Sequence, residues 1–145
     1  EVPAGASLVP LGRAAIARSG RDLSLVSYAK TVPVCLEAAA RLAAEGIETE
    51  VIDLRSIKPL DLGTVLDSVR CTGRVVVVHE ASRSFGVGAE LAALVAEHAF
   101  DVLKARPLRL GGPDAPAAAS IPLEQAYVPS VGAVCEAARS LLRCD

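Results

Sequence analysis

Five polar residues, His79, Glu80, Ser82, Arg83 and Ser84, follow four consecutive valines, Val75 to Val78, and the glycines Gly86 and Gly88 come next. A histidine beside a glutamate is the pairing that general acid–base chemistry uses. In an extended strand, however, neighbouring side chains point to opposite faces, so His79 and Glu80 converge on one substrate only if the strand has ended by Val78. Gly86-Val87-Gly88-Ala89-Glu90-Leu91 lies where a dinucleotide fingerprint would lie, but Leu91 takes the place of the third glycine and Ala81 to Phe85 intervene after the strand. The two glycines are therefore read as permitting a tight turn and close helix packing. A stand-alone anion- or nucleotide-binding domain would use the helix N-terminus that they open.

The remaining candidates are weaker. Asp53, Arg55, Lys58 and Asp61 surround one strand-to-helix connection, and their mixed signs predict local ion pairs that contribute about 0–1 kcal/mol each. His98 falls on the apolar side of its helix and reads as a packed neutral ring. Cys35, Cys71, Cys135 and Cys144 form no CxxC pair and have no histidine at zinc-ligand spacing, which predicts reduced structural thiols in a cytosol-like compartment. No nucleophile has a base at a recognisable spacing, and there is no phosphate loop or metal-ligand cluster. Residue chemistry alone gives no catalytic, cofactor-binding or metal residue and points to a scaffold or interaction surface.

The elements that position these residues follow from periodicity. Val75 to Val78 show no polar alternation, so they form a central strand covered on both faces, as in a parallel sheet between helices. Burying four valines contributes roughly 6–12 kcal/mol before chain entropy is subtracted. Before this strand, Gly12 to Arg18 reads as a short strand and Leu23 to Tyr28 as a clearer one. Thr31 reads as the N-cap of a helix that ends at Gly46. Ile47 to Leu54 is the next strand, and Asp61 caps a helix with the stripe Leu62, Val65, Leu66 and Val69 that Gly73 stops.

After the valine strand, a helix runs from about Gly86 to Leu103 and a last short strand from Pro107 to Leu110. Gly111 to Pro129 is rich in Pro, Ala and Gly and reads as a surface loop with a short turn at Leu123 to Ala126. Ser130 caps a final helix bearing Val131, Val134, Cys135, Ala138, Leu141 and Leu142. Strand and helix alternate, which predicts a three-layer α/β/α domain on a mostly parallel sheet.

Composition bounds the partners. The chain of 145 residues is one domain in size, and its 52% apolar residues suffice for a core. A formal net charge of −2, two Tyr, two Phe and no Trp leave neither a basic stripe nor rings for base stacking, so nucleic acid is not an expected partner. No apolar run approaches the ~18–20 residues of a membrane span. With no Met anywhere, Glu1 is not expected to be a translational start, and residues 1–10 read as the remnant of an interdomain linker ahead of one domain over 11–145.

The order of motifs is more specific than any one of them. Asp53-Leu54-Arg55-Ser56-Ile57-Lys58-Pro59-Leu60-Asp61 comes first, followed by Thr72-Gly73-Arg74, the valine strand and His79-Glu80. Phe85-Gly86-Val87-Gly88-Ala89-Glu90, Gly112-Pro113-Asp114-Ala115-Pro116 and Glu124-Gln125-Ala126-Tyr127-Val128-Pro129 complete the series. This series resembles the C-terminal domain of the transketolase superfamily, and within it the beta subunit of thiamine-diphosphate-dependent 2-oxo acid dehydrogenases of the pyruvate or branched-chain type. The resemblance runs from about Pro10 to Leu142. Ala117 to Ala119 and Gly63 depart from the family pattern.

The resemblance implies a five-stranded mixed sheet whose first strand is antiparallel to the rest. It implies that the intact enzyme binds thiamine diphosphate and magnesium between an alpha subunit and the missing N-terminal part of the beta subunit, leaving none in this domain. The implied partners are the alpha subunit and second beta subunit of a heterotetramer, and the acyltransferase's peripheral subunit-binding domain. The implied location is the cytoplasm, or the mitochondrial matrix in a eukaryote. His79, Glu80, Arg83 and Phe85 are then expected to face a subunit boundary. The matching domain of a one-chain transketolase or deoxyxylulose-phosphate synthase is the related alternative.

Overall fold

The computed structural model describes Gly5, residues 8–116 and residues 119–143. The elements in chain order are β1 (Ala15–Arg18), β2 (Leu23–Ser27), α1 (Thr31–Ala43), β3 (Thr49–Asp53), α2 (Leu62–Thr72) and β4 (Val75–Ser82). α3 (Val87–Ala99), a 3₁₀ turn (Phe100–Val102), β5 (Leu108–Gly112), α4 (Ile121–Tyr127) and α5 (Val131–Leu142) follow. The five strands form one sheet in the order β1-β3-β2-β4-β5. β1 runs antiparallel to β3, and the β2–β3, β2–β4 and β4–β5 pairs are parallel. The three-layer α/β/α fold expected from the alternation of elements is the fold observed, and its antiparallel first strand is the one that the resemblance implies.

The valine strand divides the core as its lack of alternation requires. Val76 and Val78 join Leu23, Leu25 and Val51 on the face covered by α1 and α5, where Leu42, Val134 and Leu141 meet them. Val75 and Val77 join Val26 and Ile52 on the other face, under Val65 and Val69 of α2 and Leu91 and Val95 of α3. Each parallel return therefore carries a helix whose apolar stripe seals one face of the sheet.

Two caps stand where the sequence places them. The Asp61 carboxylate accepts from the Thr64 amide at 3.2 Å and from the Thr64 hydroxyl at 2.9 Å. It also accepts from the Ala14 amide at 2.9 Å, tying the start of α2 to the approach to β1. The Ala14 bond is the foremost reason its pKa lies below the ordinary 3.8; burial opposes the shift, and the Thr64 bonds and Arg13 reinforce it. Ser130 accepts from the Ala133 amide at 3.2 Å, and Gly73 ends α2 in the left-handed conformation at φ 73°.

Several expectations are corrected. Thr31 is the first helical residue rather than the N-cap: buried, it accepts from the Ser27 hydroxyl at 2.8 Å and donates its own hydroxyl to the Tyr28 and Val78 carbonyls at 2.9 and 3.2 Å. Asp53 and Asp61 bond backbone amides, Arg55 in the first case at 3.1 Å, rather than the neighbouring cations. A carboxylate beside a turn finds amides closer than a long flexible cation. His98 is exposed in the last turn of α3, and that helix yields to the 3₁₀ turn after Ala99. Ile121–Tyr127 is a helix within the segment read as loop, and β4 continues four residues past its valines. Residues 1–4 and 6–7 of the expected linker, Ala117 and Ala118, and Cys144 lie outside the described residues.

Candidate functional site

The polar cluster sits at the carboxyl end of β4, where open α/β sheets place ligands and contacts. β4 reaches Ser82 because β5 continues through Gly111 and Gly112, pairing Ser82 with Gly112, while the Arg83 amide donates to the Gly112 carbonyl at 2.9 Å. The β4–β5 register shifts between Val78 and Ser82, so the backbone is irregular where the histidine lies.

His79 is 0% exposed. The Gly88 amide, in the first turn of α3, donates to its Nε2 at 3.2 Å, and its ring stacks on Tyr28 with centroids 6.3 Å apart. An accepting Nε2 places the ring proton on Nδ1, which has no hydrogen-bond partner among the described residues. Three glycines close around the ring. A Cβ on Gly88 would stand 2.3 Å from Nε2, and one on Gly86 or Gly111 would stand 3.0 or 2.9 Å from Cε1. The expectation that Gly86 and Gly88 serve close packing holds, and what they pack against is the imidazole. Burial pulls the His79 pKa below 6.5; the Ala81 backbone opposes this, and the charge of Arg109 adds to it.

The other candidates are placed differently. Glu80 is half-buried, and its charge acts on Tyr28 and Lys30 rather than on His79. Burial, and secondarily Glu80, raises the Tyr28 pKa above 10.0. Arg83 is exposed, and its carbonyl accepts from the Arg109 guanidinium at 3.0 Å. Ser84 donates its hydroxyl to Asp114 at 2.6 Å. Phe85 is 103% exposed with φ 57°, so a bulky side chain stands wholly in solvent on left-handed backbone. That conformation costs roughly 1–2 kcal/mol for an L-residue.

Two further residues share that conformation: Ala29 after β2 (φ 52°) and Arg55 after β3 (φ 58°). Left-handed non-glycine backbone therefore marks the carboxyl ends of three adjacent parallel strands, a concentration typical of functional rims. Two clefts of about 630 and 510 Å³ open along this edge. The first lies between Arg83, Gly112, Asp114 and Tyr127, and the second between Tyr28, Arg55 and Ile57. Tyr28, Asp114 and Tyr127 were not singled out as site residues, because their neighbours in sequence carry no sign of the strands that bring them together.

At the N-terminus of α3, two amides that a diphosphate would use are already engaged. The Gly88 amide is held by His79, the Ala89 amide turns to the Gly86 carbonyl at 2.8 Å, and the space left by the glycines is filled by the ring. No group of three or more metal-capable side chains is gathered among the described residues. The occupied Gly88 amide counts against the anion-binding alternative.

The model of the transketolase C-terminal domain matches residues 12–134. The chain is 47% identical over 143 residues to the acetoin:2,6-dichlorophenolindophenol oxidoreductase subunit beta of Cupriavidus necator, covering 99% of this chain and 42% of that protein. It is 42% identical to the pyruvate dehydrogenase E1 component subunit beta of Rhizobium meliloti, covering 92% of this chain and 29% of that one. It thus spans less than half the length of these curated relatives. Among solved structures, a split-gene transketolase described as an inactive beta4 tetramer superposes with a TM-score of 0.82 at 30% identity, over 94% of this chain and 44% of that one. A 2-oxoglutarate:ferredoxin oxidoreductase from Magnetococcus marinus shares the fold, at 0.60 and 12%. The chain belongs to the transketolase C-terminal domain family, and its relatives within that family include beta subunits of pyruvate dehydrogenase and of acetoin oxidoreductase.

Proposed function

We propose that this chain is the C-terminal assembly domain of a 2-oxo acid dehydrogenase beta subunit, and that the rim after β4 is one of its subunit contacts. In the intact enzyme an alpha subunit and the N-terminal part of the beta subunit hold thiamine diphosphate and magnesium, and the enzyme decarboxylates a 2-oxo acid and acylates a lipoyl group. This domain holds the heterotetramer of two alpha and two beta subunits together and offers the acyltransferase's peripheral subunit-binding domain a surface. The work is done in the cytoplasm, or in the mitochondrial matrix of a eukaryote; no helix among the described residues is long and apolar enough to cross a membrane. The dehydrogenase branch ranks ahead of transketolase because the beta-subunit relatives match at 47% and 42% identity against 30% for the split-gene transketolase.

One observation carries this reading. Phe85 is fully exposed on left-handed backbone while the bonds at Arg83, Ser84 and Gly88 fix its loop from three sides. Nothing among the described residues rewards that arrangement, whereas an aromatic seated in a partner's pocket is the usual anchor of an interface. Of the four residues expected at the boundary, Glu80, Arg83 and Phe85 reach the surface, and His79 supports them from below.

The test is Phe85→Ala and Arg83→Glu in the full-length beta subunit expressed with its alpha subunit. Phe85→Ala is expected to weaken subunit association by roughly 30-fold or more, about 2 kcal/mol, while the melting of the isolated subunit hardly changes. An intact tetramer whose turnover collapsed would place these residues in chemistry instead.

A further inference from the structure

We infer that His79 is a proton-operated latch on the β4–α3 junction: taking up a proton, it lets go of Gly88 and frees the loop that carries Arg83 and Phe85. The latch is argued from this chain's geometry; its consequence for assembly rests on the subunit-boundary reading above.

The neutral ring is built into the junction through one bond that only the neutral form can accept. With Nδ1 protonated, Nε2 is the sole acceptor, and the Gly88 amide uses it at 3.2 Å. Protonation turns Nε2 into a donor facing another donor, and that bond cannot survive. The surroundings disfavour the cation from each direction. The N-terminus of α3 presents the positive end of its helix dipole. From β5, Arg109 adds a positive charge. At the end of β2, Tyr28 stacks as a neutral ring whose own ionisation burial has pushed upward. Glu80, the acid next to it in sequence, acts on Tyr28 and Lys30 instead, and only the Ala81 backbone favours the charged form. The ring cannot keep its place and turn away, because Gly86, Gly88 and Gly111 leave no space around it.

The sign follows. A buried imidazole with a depressed pKa contributes its stability above the free value of 6.5 and loses it as pH falls from there toward the folded pKa. Opening the junction exposes the ring to water, where it takes up one proton. Between pH 7.5 and 5.5, an opening that releases an imidazole of pKa 6.5 becomes up to about tenfold more populated. The amides that report it are Gly88, bonded to His79, and Arg83, bonded to Gly112. The residues released are those that the rim presents to a partner.

The experiment is amide hydrogen exchange on the full-length beta subunit at pH 7.5 and 5.5, corrected for intrinsic rates, with subunit exchange of the assembled complex followed in parallel. Gly88 and Arg83 are expected to lose several-fold, up to about tenfold, in protection through an opening that leaves Leu25 and Val26 of β2 protected. His79→Gln, which keeps an acceptor for Gly88 but takes no proton, should abolish the pH dependence. If protection at Gly88 and Arg83 did not change with pH in the wild type, or changed only together with β2, the latch would be overturned whether or not the variant folds. Faster amide exchange without faster subunit exchange would overturn the boundary placement of the loop instead, and the two failures are thereby told apart.

Discussion

Gly88→Ala is expected to destabilise the chain by about 2–4 kcal/mol, and His79→Ala by a similar amount, while the double variant loses about 1–3 kcal/mol less than the sum. A Cβ at position 88 would stand 2.3 Å from Nε2 of His79 and 2.8 Å from its Cδ2, inside any allowed contact. The ring has no direction in which to yield, since the Cβ positions of Gly86 and Gly111 lie 3.0 and 2.9 Å from Cε1 and Tyr28 stacks against it. Removing the ring leaves a void among buried residues and an amide without its acceptor. With the ring gone, the added methyl enters the vacated space, and that is the origin of the coupling. Urea unfolding of the four proteins measures it. Strictly additive losses would mean that the glycines and the histidine are not one packing unit.

Gly20→Ala is expected to cost about 3 kcal/mol, a fall of roughly 10 °C in the melting temperature. Gly20 makes the turn between β1 and β2, where a Cβ would fall 2.2 Å from the Glu50 nitrogen and from the Thr49 carbonyl carbon. These are backbone atoms of a sheet strand and cannot swing aside as a side-chain tip would. The same turn is clamped to that strand, for the Arg21 and Asp22 amides both donate to the Glu48 carbonyl at 2.9 Å and Asp22 accepts the Glu48 amide at 2.6 Å. Moving the turn to admit a methyl therefore breaks this clamp as well. Gly63→Ala is the control, because its Cβ would meet nothing closer than Asp61 Oδ1 at 3.7 Å. Lying in α2, it should be neutral or gain up to about 1 kcal/mol. A scanning calorimeter separates the two outcomes.

What was legible in the sequence depended on local chemistry. The valines without alternation named the central strand, the 3.6-residue stripes named the covering helices, and the Asp61 and Ser130 caps lie beside the amides they bind. The failure of the dinucleotide fingerprint at Leu91 correctly redirected the glycines toward packing. What escaped depended on distant chain. The polar run after Val78 looked like the end of the strand, yet β5 prolongs it through Gly111 and Gly112, whose sequence reads as a loop. The burial of His79 required Gly111 to be brought alongside from another strand, and an absent side chain leaves no periodic mark. α4 was missed because its residues are almost all exposed, so it has no apolar stripe to detect; it is held by Lys30 pairing with Glu124 at 2.5 Å and by Tyr127 lying over Gly112. Left-handed backbone at Ala29, Arg55 and Phe85 could not be foreseen, since none is the glycine or asparagine that usually signals it.

The central claim, that this chain acts as the assembly domain of a beta subunit, is tested most directly by the native mass of the complex that the endogenous polypeptide forms. The chain is tagged at its own locus and the complex is weighed intact after gentle purification. The account predicts a polypeptide well above 14.9 kDa carrying this domain, bound to a second, different subunit in a four-subunit complex. A tagged polypeptide near 14.9 kDa that migrates with no partner would contradict it.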